Sequence, residues 1–238
     1  QQVIAVWNFA ANGFTKNDKV KMQAMGIEMC YVAQGAFKVG DGKKDAGQLY
    51  EGGTGANPQP TPFAITSADA IECGDSEGKL WGASQAGASS MGGPGTIPAD
   101  FPNGYNAFYC MKYAVTQGQY ADFLNSLTRV QQTARCTATT VGNYMSDVDG
   151  GHAAPQNRNT VQLIDNPGDP QPRRYATVTP DRACNWLCWP DLTAFSDWSG
   201  LRPMSELEFE KACRGPLNPV AGEYAWGTTV IKAQTGHT

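Results

Sequence analysis

Charge is scarce in this chain: 17% of its 238 residues are Asp, Glu, Lys or Arg, and the formal net charge is −4. Its 18 Lys and Arg residues are scattered, so there is no basic field to hold a phosphate backbone, which excludes nucleic acid as a partner. No apolar run reaches the roughly eighteen residues that a membrane-crossing helix needs, so no membrane span is expected. Histidine is scarcer still. His152 and His237 are the two present, and two cannot assemble a three-histidine metal centre within the chain. No CxxC pair occurs among the seven cysteines, at 30, 73, 110, 136, 184, 188 and 213. Cys184 and Cys188 are the one close pair, sharing a face on either a helix or a strand. Their neighbourhood lacks further zinc ligands, so they read as two small buried apolar side chains. The odd count leaves one thiol over whatever the pairing, and the redox compartment stays open.

Glycine and proline are abundant, with 27 and 15 residues. Long tracts such as DGKKDAGQLYEGGTGANPQPTP and GASQAGASSMGGPGTIPADFPNG follow neither a helical nor a strand period and connect elements rather than form them. The length suits one large domain or two small ones with a packed core. Low charge with many Gly, Thr, Asn and aromatic residues is commoner in secreted and cell-surface proteins, and an extracellular location is expected. The chain opens QQVIAVWNFAANGF, without an initiator Met, a basic segment or an apolar leader, and closes VIKAQTGHT. Both ends read as cuts. We assign residues 1–24 to a linker or the end of a preceding β unit, and residues 25–238 to one domain whose C-terminal part is incomplete.

Val3–Trp7 is apolar and β-prone. The segment KVKMQAMGIEMCYVAQGAFKVG alternates at Val20, Met22 and Ala24 and again at Ile27, Met29 and Tyr31, predicting two strands, a tight turn at Gly35 and a return strand at Phe37–Val39. A further hairpin is expected in PFAITSADAIECG, and a short strand in KLWGAS. Ala107–Ala114 reads as an aromatic-rich strand. Thr116 and Gln119 then form a T-x-x-Q capping box, followed by Tyr120, Phe123, Leu124 and Leu127 at amphipathic helical spacing. Residues 129–180 read as loop. Pro190 suits the first turn of another helix, with Leu192, Phe195 and Trp198 facing inward and Gly200 ending it.

Two stretches invite a chemical reading. DVDGGH places Asp147 and Asp149 before Gly150 like the start of a calcium loop, but no Glu stands where an EF-hand needs it, and a solvated turn accounts for it better. Asp147 and Asp149 remain the metal candidates, and calcium the one cofactor for which ligands are offered. RPMSELEFEKACRGP, residues 202–216, gathers Glu206, Glu208 and Glu210. Ser205 and Glu208 form a capping box there. The acidic residues stand at the positive end of the helix, with Lys211 and Arg214 at the negative end, and Gly215 and Pro216 stop it. Helix polarity explains these carboxylates, so no catalytic residue is assigned.

Several segments together resemble the formylglycine-generating enzyme, or sulfatase-modifying-factor, family. GIEMCYVAQGAFKVGDG is similar to its opening strand pair, and FYCMKYAVTQGQYADFL to its strand and helix entry. Trp189, Asp191, Trp198, Gly200 and Arg202 follow its Trp-x-Asp … Trp-x-Gly-x-Arg helix. MSELEFEKACRG resembles its Glu-rich helix, and YAWG at 224–227 its Tyr-Pro-Trp-Gly step. The resemblance spans roughly residues 25–230. It implies an α+β, irregular, loop-rich fold of the C-type-lectin-like kind with few short helices.

The departures bear on function. Family members that oxidise a substrate cysteine carry their metal-binding cysteine pair after the Trp-Gly motif, and this sequence stops soon after Trp226, with no cysteine beyond Cys213. The iron-dependent relatives need a histidine triad. Cys213 stands where the family has a small residue, and long insertions occupy 41–100 and 129–180. The resemblance therefore implies, first, a non-catalytic secreted or surface module, structural or binding, with a protein or glycan partner or self-assembly. The alternative is a copper-dependent formylglycine-generating oxidase, or a related metal oxygenase, whose catalytic half lies beyond residue 238.

Overall fold

Strands of three or four residues, paired mostly with distant segments, alternate with short capped helices. The computed structural model describes residues 4, 6–20, 22–43, 48–55, 59–82, 93–224 and 228–230. Among these the strands run β1 Met29–Val32, β2 Phe37–Val39, β3 Leu49–Glu51, β4 Phe63–Ile65, β5 Ile71–Cys73, β6 Leu80–Gly82, β7 Gly95–Ile97, β8 Phe108–Met111, β9 Gln162–Asp165 and β10 Arg174–Ala176. The helices are α1 Gln117–Ser126, α2 Arg129–Arg135, α3 Trp189–Trp198 and α4 Glu206–Arg214.

The pairing corrects the expected hairpins. β1 pairs antiparallel with β8, and β2 with β4, so the chain around Gly35 joins two different sheets instead of turning back on itself. β4 and β5 do not pair either. β5 lies beside β7 antiparallel and beside β6 parallel, in a four-stranded sheet of order β3-β6-β5-β7. Val20, Met22 and Met25 are exposed and outside any strand, contrary to the alternation read there. The expected strand at Val3–Trp7 and the YAWG segment fall partly outside the described residues, as does the end of KLWGAS.

The helix starts follow the caps. Thr116 accepts from the Gln119 amide while Gln119 Oε1 accepts from the Thr116 amide at 3.0 Å, and Tyr120, Phe123 and Leu124 are buried as their spacing predicts. The loop expected over 129–180 is broken by α2, β9 and β10. Thr128 and Gln131 open α2 with a second T-x-x-Q box directly after Leu127. Pro190 lies in the first turn of α3, Phe195 is buried, and Gly200 follows the helix with φ 73°.

Two buried clusters form the core. In one, α1 and α3 close on β9 and β10 through Tyr120, Phe123, Leu163, Tyr175 and Phe195, with Phe123 5.7 Å from Phe195 and 5.4 Å from Trp198 between ring centres. In the other, Phe37, Val39, Leu49, Ile65, Ile71 and Leu80 pack with Leu207 of α4. The last helix is thereby joined to strands some 170 residues earlier in the chain, as the Glu210 contact to Gly40 also shows.

Between these clusters, long loop backbones find partners in buried side-chain amides. Gln117 is fully buried. Its Nε2 donates to Arg158 O at 3.0 Å and its Oε1 accepts from the amide and hydroxyl of Thr160, both at 2.9 Å. Gln132, also fully buried, donates to Leu124 O and Arg173 O and accepts from Arg173 N. Asn125 meets both the N–H and the C=O of Tyr175 as a neighbouring strand would. Gly118 lets the loop approach, since a Cβ there would lie 2.9 Å from Pro180 Cβ. Replacing a buried amide strands several loop donors and acceptors at once. Gln117→Met should therefore lower unfolding free energy by about 2–4 kcal/mol in urea titration; a loss below about 0.5 kcal/mol would show that the network does not hold the loops.

Candidate functional site

The Glu-rich helix is the first place to look for acid and base chemistry, and two of its three carboxylates, Glu208 and Glu210, are engaged, while Glu206 is exposed. Glu208 is buried. Its two oxygens take both terminal nitrogens of Arg202, at 2.8 and 2.6 Å, and the Ser205 amide at 3.0 Å. Burial opposes its ionisation, but the guanidinium and the cap outweigh it and hold the carboxyl below its ordinary 4.5. Glu210 accepts from Gly40 N at 2.7 Å and lies 3.6 Å from Arg214, with burial pushing its carboxyl upward. Arg214 also pairs with Glu223 and donates to Lys38 O at 3.0 Å. Lys211 is buried and donates to Gly104 O and Tyr105 O, at 2.6 and 3.1 Å. Helix polarity accounts for the order of charges along α4; these tertiary contacts account for its burial and go beyond what the sequence reading assigned.

A different place has the shape of a site. A cleft of about 620 Å³ opens where the end of α2, the turn around Asp149 and the segment leading into α3 converge. Its lining includes Arg135, Cys136, Asp147, Asp149, Trp186 and Asp191. Asp191, 6% exposed, forms the floor by capping α3: its Oδ2 accepts from the amide and the thiol of Cys188, both at 3.0 Å. Its other oxygen meets Arg135 at 3.1 Å. The Arg135 carbonyl in turn accepts from Tyr120 OH at 2.8 Å, which ties the floor to the core. Burial pushes the Tyr120 phenol upward, so it remains a donor across the physiological range.

The rim is built from the turn that DVDGGH encodes. Tyr144 and His152 exchange two backbone hydrogen bonds, at 2.8 and 2.9 Å, and Asn143 Nδ2 donates to Gly150 O at 3.0 Å. Gly151, at φ 74°, is required: a Cβ there would lie 2.6 Å from Tyr144 O and 2.9 Å from Ala138 Cα. Asp147 and Asp149 are exposed on this rim. They supply at most about four of the six to eight oxygens that calcium takes, and among the described residues no group of three His, Cys, Asp or Glu side chains converges. The two carboxylates make an acidic edge to the cleft.

Trp186, on the opposite wall, holds φ 60°, a conformation that bulky side chains rarely adopt. Its indole donates to Gln156 O at 3.4 Å and packs partly against the core. Strain of this kind persists where surrounding structure over-determines it, and it concentrates at binding sites. Sequence reading found the rim carboxylates but missed Arg135, Trp186 and the capping role of Asp191. The spacing Cys188-x-x-Asp191 matches an N-cap and its N3 partner and could have marked the latter; nothing local marks Trp186.

The pair Cys184 and Cys188 needs correcting. Cys184 is partly buried beside the core, but Cys188 is exposed at the mouth of the cleft, because an N-cap residue stands outside the helix packing. Burial pushes the Cys184 thiol up to about 12 and that of Cys136 up to about 11.

The fold is the irregular, loop-rich α+β architecture of the C-type-lectin-like class, with small mixed sheets and short helices. More narrowly, the sulfatase-modifying factor enzyme 1-like domain matches residues 84–238, and the chain belongs to that family. Comparison with curated proteins and with solved structures returns no match.

Glu208→Ala should cost about 2 kcal/mol at pH 7 by removing a cap and one partner of a half-exposed Arg202. Because the Glu208 carboxyl titrates below its unfolded value, its contribution is full above about pH 4.5 and is lost as pH falls through the folded pKa. The wild-type and variant stabilities, compared by denaturant titration, should therefore converge in acid; a gap independent of pH would remove the ion pair as its cause. Thiol alkylation at pH 8, read by peptide mapping, should label Cys188 well before Cys136 and Cys184.

Proposed function

We propose that the chain is a non-catalytic binding module, secreted or displayed at a cell surface, that takes a glycan in the cleft between Trp186 and the Asp147–Asp149 rim. The cleft is the observation that carries this reading. An aromatic wall offers a flat apolar face, exposed carboxylates accept hydrogen bonds from hydroxyl groups, and Thr133, Thr137, Thr139 and Ser146 line the space between. The position of the lining residues in turns and segment ends on a rigid core is the usual arrangement for recognition. Asp191 and Arg135 neutralise one another at 3.1 Å and Asp191 is occupied as a cap, which suits a structural floor better than an acid or base. The extracellular setting rests on composition: low charge with many Gly and aromatic residues.

The test is a glycan array followed by calorimetric titration of any hit. Trp186→Ala and the pair Asp147→Asn with Asp149→Asn should each weaken binding at least about tenfold, and bound ligand should slow Cys188 alkylation. The opposing result comes from copper loading: turnover of a cysteine-containing peptide to the aldehyde would replace the binding module with an oxidase.

A further inference from the structure

β1 and β8 meet as a two-stranded ladder, and like faces like at its centre. Met29 is opposite Met111, Cys30 opposite Cys110, and Tyr31 opposite Tyr109. The two tyrosine rings are 5.2 Å apart on one face, and Lys112 reaches Glu28 at 2.6 Å beyond the end of the ladder. The cysteine pair is on the other face, since side chains alternate along a strand. Cys30 is exposed and Cys110 partly so, leaving both thiols open to a small reagent.

We propose that Cys30 and Cys110 are a disulfide-forming pair that fastens the N-terminal strand to the body of the domain. Residues directly opposite in an antiparallel ladder have Cα atoms about 4.5 or 5.5 Å apart, and a disulfide takes about 4.4–6.8 Å, so the register places the two cysteines within bridging span. It is also where a covalent tie has the most to add. Neither buried cluster draws a residue from β1, and a two-stranded ladder on its own is marginal in water. The oxidant is a low-molecular-weight disulfide such as oxidised glutathione. The Cys30 thiolate attacks one of its sulfurs, forming a mixed disulfide and releasing one reduced glutathione; the Cys110 thiolate then attacks the Cys30 sulfur and releases the second. Two protons and two electrons leave the protein, and one S–S bond is formed as one is broken. This pairing is independent of the cleft and of what it binds.

Incubating the reduced full chain with glutathione disulfide, followed by non-reducing peptide mapping, tests the pairing. A Cys30–Cys110 peptide from within one chain is expected, with the thiol titre down by two from seven. Tm should rise by roughly 10 °C, because the bridge closes a loop of about 80 residues, and dithiothreitol should reverse the rise in the same sample, so that no variant is needed. Cys30→Ser and Cys110→Ser should each abolish the shift, while Cys188→Ser should leave it in place. Persistent alkylation of both thiols after oxidation, a bridge from Cys110 to Cys213 on the adjoining helix, or Cys30 joined between two chains would each overturn the assignment.

Discussion

The buried carboxamide of Gln117 is the interaction on which the loop half of the molecule depends. Strands of three or four residues pair few backbone groups, and a chain this rich in glycine and proline must satisfy the remainder in some other way. Gln117 does so for residues 158, 160 and 183, Gln132 for 124 and 173, and Asn125 for 175. Each amide offers donors and an acceptor from a fixed point on a helix, so it acts as a short length of neighbouring strand. In a low-dielectric interior such a network rigidifies when complete and is costly when broken. The loops are therefore as well determined as the sheets, although almost nothing in them is regular.

That rigidity is passed to the cleft. Its floor is a helix cap, Asp191, whose second oxygen holds Arg135, whose carbonyl holds Tyr120 in the core. The left-handed backbone of Trp186 is flanked by the Gln156 carbonyl, which accepts from its indole, and by the core against which the ring packs. Sequence segments far apart, from α1, α2, the turn after Met145 and α3, meet at one place through these polar contacts as well as through the apolar packing of Tyr120, Cys136, Met145 and Phe195. The second cluster repeats the device, with α4 joined to Gly40, Gly104 and Tyr105 by Glu210 and Lys211.

How much could be read in advance followed how local each signal was. The capping boxes at Thr116 and Ser205 were legible because four consecutive residues contain the whole interaction, and so were the buried face of α1 and the family, whose motifs fall in order along the chain. The same Thr-x-x-Gln pattern stands at Thr128 and went unread, since α2 has two turns and buries one polar residue, so no apolar stripe drew attention to it. Strand pairing failed at β1, β2, β4 and β5 because three or four residues carry almost no periodicity and nearest neighbours in sequence are not partners here. The cleft was half visible, through its acidic turn. Its other wall includes Trp186, whose backbone angle no local sequence signal marks.

The turn after Met145 separates frame from content. Gly150, Gly151 and Asn143 are fixed by close approach and by hydrogen bonds to backbone, whereas Asp147, Val148 and Asp149 project outward at the tip. Exchanging tip residues changes what the cleft presents at little cost in stability, and exchanging the frame collapses the turn. Three adjacent codons can thus be rewritten to change the surface at the edge of the cleft, with the scaffold left untouched.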